Sequence, residues 1–182
     1  HDLARATTVR VAGDGDLAPG ASGRMRIETG LPLLNRRGGL AFPARLIGGA
    51  GAGGYGIFFR DAQGTLQKIV APGDTFYGET INGINFNTTP PKSLNDDGLM
   101  VFTASLVNPS TFDWVLGLFV GRPGNVPFLV ARVGDSAGPD WTFASFSGDP
   151  SINASMVAFH AWVRDVGGRR NEQPLLLEPD IQ

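Results

Sequence analysis

The 182 residues are 42% apolar and 18% charged, and they carry a net charge of −2 and no cysteine. That balance offers a phosphate backbone no electrostatic partner, and it excludes disulfides, thiolate metal centres and cysteine nucleophiles. A charged fraction below the usual quarter leaves much of the surface neutral, which suits a protein that packs against something.

The 26 glycines and 13 prolines are spread along the chain, so they predict turns between many short strands rather than disorder. The first predicted strand covers residues 6–12 and ends at Gly13-Asp14. A second, over residues 24–29, leads to Asn35-Arg-Arg-Gly38, which reads as a hairpin turn between apolar runs. The strand after it carries Phe42 and Ala44. A short apolar strand follows in Gly56-Ile-Phe-Phe59, then one that ends in Gly73-Asp74. The same succession returns as residues 81–87, Asn95-Asp-Asp-Gly98 with Phe102 and Ala104, Gly117-Leu-Phe-Val120, and Gly134-Asp135. A third, degraded copy has residues 142–147, Asn153, Phe159 and Ala161, and the apolar run Pro174-Leu-Leu-Leu177. The Gly-Asp pairs lie 60 and 61 residues apart, and the asparagines 60 and 58. Agreement of independent landmarks on one period marks a repeat of about 60 residues with four strands, a to d.

The predicted fold is therefore all-β and propeller-like, with a pseudo-threefold prism-like fold as the alternative. Residues 1–14 form a closing strand, 15–74 the first repeat, 75–135 the second and 136–182 a partial third. The chain starts on a strand d and stops on a strand c. Residues 6–12 are accordingly expected to pair with residues 174–177 and complete the last sheet, since an open edge invites other strands. Propellers have four to eight blades, so three blades close only under strain. A ring of two chains, a prism of three sheets or a segment of a longer array each resolves this.

The Asn-x-x-Gly-x-x-x-Phe turn and strand, the Gly-Ile-Phe run and the Val-Ala-x-Gly-Asp strand end resemble a family of bacterial extracellular tandem-repeat proteins. The resemblance covers residues 9–159 and implies a β-propeller at the cell surface, with no catalytic residue to carry over. The third asparagine turn departs from the pattern: it lacks its glycine and is one residue short.

Asp14, Asp74 and Asp135 occupy matching positions, so three carboxylates sharing a calcium ion are set against aspartates that satisfy backbone donors at strand ends. No other cofactor is expected. Asn95-Asp96-Asp97-Gly98 lacks the ligand spacing of a calcium loop. The histidines, His1 and His160, are too few for a zinc site, and His160 should face away from Phe159. The glycine-rich segment 48–54 lacks the Lys-Ser/Thr of a phosphate loop. Trp114, Tyr55, Tyr77 and Trp141, with Trp162, either fill core or stand in loops to stack on sugars or anchor a protein. The expected function is a non-enzymatic extracellular or cell-surface module that mediates protein–protein assembly, self-association included. A carbohydrate-binding module using loop aromatics is the alternative, and an Asp/Glu-dependent hydrolase the second. Neither nucleic acid nor a membrane span is expected.

Overall fold

Burial along the strands follows their two-residue period. In Val157–Asp165 buried residues alternate with exposed ones, as in a strand with one wet face, whereas Leu40–Ile47 is buried on both faces over its first half. The computed structural model describes residues 8–28, 32–85, 93–154 and 156–177, and these form strands without any helix. The first sheet holds β1 (Arg24–Arg26), β2 (Leu33–Leu34), β3 (Leu40–Ile47), β4 (Tyr55–Arg60) and β5 (Leu66–Val70), ordered β1-β3-β4-β5 with β2 also on β3. The second holds β6 (Thr75–Phe76), β7 (Glu79–Asn85), β8 (Met100–Val107), β9 (Trp114–Gly121) and β10 (Phe128–Arg132), in chain order. The third holds β11 (Ser136–Gly138), β12 (Trp141–Ile152), β13 (Val157–Asp165) and β14 (Arg170–Leu177), also in chain order. All pairings are antiparallel. Each sheet is thus the meander expected of a propeller blade, with β1, β7 and β12 as strand a, β3, β8 and β13 as b, and β4, β9 and β14 as c.

The sheets stack face to face. Ile57, Phe59 and Ile69 of the first sheet meet Phe76, Phe102 and Phe119 of the second, while Val101, Leu118 and Val120 on its other face meet Phe143, Phe159 and Val163 of the third. Each fully buried side chain of this size stabilises the fold by about 1.5–3 kcal/mol. The glycine of the Gly-x-Phe run lies inside strand c, not at its edge. The phenylalanine ring folds back over it, so a Cβ on Gly56 would stand 2.9 Å from the Phe58 ring, and one on Gly117 would stand 2.6 Å from Phe119. The third sheet has Leu175 instead of the phenylalanine, and Gln173 instead of the glycine.

The asparagine turns join the sheets to one another. Within its own turn the Asn35 Oδ1 accepts from Gly39 N at 2.7 Å, the Asn95 Oδ1 from Leu99 N at 2.9 Å and Asp97 N at 3.0 Å, and the Asn153 Oδ1 from Met156 N at 2.8 Å. The Nδ2 of Asn35 then donates to the backbone oxygen of Asn95 at 3.1 Å, and that of Asn95 to the backbone oxygen of Asn153 at 2.8 Å. Arg36 N also donates to the Asp96 carboxylate at 2.9 Å, and Arg37 pairs with Asp97 at 2.6 Å. The two acids of the second turn therefore hold the first turn.

The expected closure by the N-terminal strand does not form among the described residues. Residues 8–13 adopt no strand, and Val11 and Ala12 pack instead on the outer face of the first sheet, beside Met25, Phe42 and Phe58. Among the described residues β14 is bonded to β13 alone, and the second sheet stands between the first and the third. His1, Ala6 and Thr7 lie outside the described residues, as do the ends of two predicted strands at Thr29 and at residues 86–87.

Two substitutions test this account. Gly117→Ala forces a methyl into the Phe119 ring and should lower the unfolding free energy by about 1–3 kcal/mol, read from urea midpoints. Asn95→Ala removes the turn bonds and the bridge together and should cost about 2–3 kcal/mol, and Asn95→Asp, which sets a carboxylate oxygen against the Asn153 oxygen in place of the amide donor, should cost no less at neutral pH.

Candidate functional site

The end of the sheets opposite the asparagine turns gathers most of the predicted site residues, because strands a and c begin there and the Gly-Asp turns lie there. In each such turn the glycine takes a left-handed φ (84° at Gly15, 92° at Gly73, 94° at Gly134). It donates to strand a, at 2.8 Å from Gly73 to the Ile81 oxygen, 2.8 Å from Gly134 to Phe143, and 2.9 Å from Gly15 to Met25. Asp16, not Asp14, is therefore the counterpart of Asp74 and Asp135. The tetrapeptide Gly13-Asp14-Gly15-Asp16 contains the pair twice, and only backbone geometry tells the two apart.

These carboxylates serve their own turns. Asp74 accepts from Ala71 N at 2.8 Å and pairs with Lys68 at 2.6 Å, and Asp16 accepts from Gly13 N at 2.8 Å and pairs with Arg10 at 2.9 Å. Asp135 lies 3.5 Å from Arg132, and Asp14 accepts from Ile27 N at 2.7 Å. Among the described residues no three His, Cys, Asp or Glu side chains come together to hold a metal. The three-carboxylate calcium site read from Asp14, Asp74 and Asp135 is not assembled, because each acid belongs to a different unit's turn.

At the same end of the second sheet, two loops flank a concavity of about 580 Å³. One is the tight turn between β6 and β7, where Tyr77 is exposed with φ 45° and sets its ring edge-on to Phe76, centroids 4.5 Å apart. The other connects β8 to β9 and is pinned by Asn108, whose Oδ1 accepts from Ser110 N at 2.9 Å and whose backbone oxygen accepts from Phe112 N at 2.8 Å. Phe112 is exposed with φ 59°. Trp114, placed in this loop by the sequence, is instead the first residue of β9, opposite Val107, and its ring is exposed. Phe112 went unremarked in the sequence although it sits in the same lengthened connection. The concavity's polar wall is Arg132, 3.4 Å from Glu79 and 3.5 Å from Asp135, so its two acids are both ion-paired to one guanidinium.

Tyr55 and Trp141 lie at the same end, but on the first and third sheets. Trp141 opens β12 and packs partly against the second core cluster. Tyr55 opens β4, and its hydroxyl donates to Glu28, which also has Arg45 at 3.5 Å and Arg26 at 3.7 Å. The tyrosine's hydrogen bond, then the two guanidinium groups, hold the Glu28 carboxyl below its ordinary range, and the bond to that carboxylate raises the Tyr55 hydroxyl. On the outer face of the third sheet, His160 is exposed and faces away from buried Phe159, with Trp162 also exposed beside it. A group with a depressed folded-state pKa stabilises above its unfolded value, and that contribution fades as the pH falls through the folded one. Wild type should therefore exceed Glu28→Gln in urea midpoint at neutral pH, with the gap closing as the pH drops below about 4. Carbon-13 titration of the Glu28 carboxyl should move toward the ordinary glutamate range in Tyr55→Phe.

A family model described as "Family of unknown function (DUF7453)" matches residues 5–89, from the N-terminal segment through the first sheet and past β7. No curated protein and no solved structure matches the chain.

Proposed function

We propose that this chain is a non-enzymatic β-sheet module of the cell exterior that mediates protein–protein assembly through its third sheet. One observation carries this reading: β14 is hydrogen-bonded on one side only among the described residues, and Leu176 is exposed on the sheet face beside it. A free strand edge supplies main-chain donors and acceptors to an incoming strand, and flanking apolar side chains supply buried area. The low charged fraction, 18%, favours surfaces that pack. The cell-exterior assignment rests on the resemblance of the turn and strand motifs to extracellular repeat proteins.

A second reading is supported by the concavity between Tyr77 and the β8–β9 loop. The exposed ring of Tyr77 beside a polar wall, with Phe112 and Trp114 also exposed in and just after the neighbouring loop, supplies the materials of a sugar-stacking site.

A photo-crosslinking residue placed at Leu176, and separately at Phe112, distinguishes the two in the intact protein. Polypeptide adducts from position 176 support assembly. Their absence, together with glycan-array binding that Trp114→Ala abolishes, would replace the first reading by the second.

A further inference from the structure

The N-terminal segment carries the features of a strand d without its neighbour. Asp16 takes the amide three residues before it and the cation six residues before it, as Asp74 does with Ala71 and Lys68. That correspondence sets Arg10 at the place of Lys68, Val11 at Ile69 and Ala12 at Val70. Ile69 and Val70 end β5, the outer strand of the first sheet, and pack toward the second sheet. Val11 and Ala12 pack in the same sense on the first sheet. The segment has the position of an outer strand, and it has no ladder because no strand c lies beside it. β14 is the reverse case, a strand c with no strand d among the described residues.

Exposure marks both ends as places where another unit belongs. The residue before the turn asparagine is buried where a sheet precedes it, 8% exposed at Leu94 and 7% at Ile152, but 70% exposed at Leu34 in the first unit. The strand c residue facing the next sheet is 8% exposed at Phe59 and 2% at Val120, but 61% at its counterpart Leu176 in the last unit. The asparagine series also runs one way, each side-chain amide reaching the next backbone oxygen. The equivalent acceptor at the start of the series is the Asn35 oxygen.

We infer that the assembly partner is a second copy of this chain: residues 8–12 of each copy become the outer strand beside β14 of the other. This rests on the assembly reading above and names its partner. Among the described residues, one copy has a single surplus strand d, a single strand c lacking its neighbour, one uncovered leading face and one uncovered trailing face, and two copies satisfy all four. Their six sheets fall within the blade range of propellers, and a head-to-tail contact of this kind forms a ring when its rotation closes. The register follows from the existing pairs. Phe59 lies opposite Gln67, and Val120 opposite Phe128, which places Val9 of one copy opposite Leu176 of the other.

The 182-residue chain should show twice its 19.2 kDa mass by light scattering, and Leu176→Arg should raise the dissociation constant at least tenfold while leaving the melting curve of the isolated chain intact. Because the chain lacks cysteine, Val9→Cys and Leu176→Cys chains can be mixed and oxidised. A covalent dimer of one chain of each kind, absent when either is oxidised alone, is expected. A disulfide within a single chain of the double variant, or a monomer at every concentration with no cross-link, would overturn the inference. If that monomer still gives polypeptide adducts at position 176 with a different protein, the assembly reading survives alone. If it gives none, both fall.

Discussion

The bifunctional side chain of asparagine organises this molecule. Its oxygen closes a turn within one sheet, and its amide nitrogen reaches the backbone of the next. Both ends of a nearly buried polar group are thereby satisfied, which a hydroxyl or a carboxylate in the same place would not achieve. The bond also sets the spacing between adjacent sheets at one edge, so the apolar faces meet in a fixed register, with Phe102 and Phe119 on one side of the second sheet and Val101 and Val120 on the other.

Much of the architecture was legible in the sequence because the repeat places chemically demanding residues at fixed intervals. A left-handed turn favours glycine, a strand with a ring folded over it needs glycine two residues earlier, and the turn asparagine has no equivalent substitute. Those residues recur, and the strands between them fell where expected. The misassignment of Asp14 came from a sequence that offers the Gly-Asp pair twice and from a count of residues that favoured the wrong one. The closing strand was misplaced within the chain for a different reason. Sequence identifies a strand by its side chains, but whether two strands meet depends on the angle between successive sheets, which no local pattern reports.

The candidate site was less legible. Trp114 and Tyr77 drew notice as large aromatics, and both stand exposed at one end of the second sheet, where Tyr77 lines a concavity. Tyr55 and Trp141 looked the same in the sequence but are tied to a glutamate and to the core. The separation depends on which sheet each belongs to. Phe112 owes its exposure to a backbone held at φ 59° by the bonds of Asn108, a constraint invisible in composition.

The charges on the asparagine turns bear on how such a chain avoids misfolding. Units of similar shape in one polypeptide are prone to stack in the wrong order or to trade places between molecules. Here the first turn carries two arginines, the second two aspartates and the third neither. In the native stack the Arg37 guanidinium meets Asp97 and the Arg36 backbone amide meets Asp96, whereas stacking two first units or two second units would set like charges together. The pattern works as a key to the order of the units, independent of the hydrophobic faces. It leaves the junction between a third and a first unit without charge selection, so contact there is governed by shape and strand pairing alone.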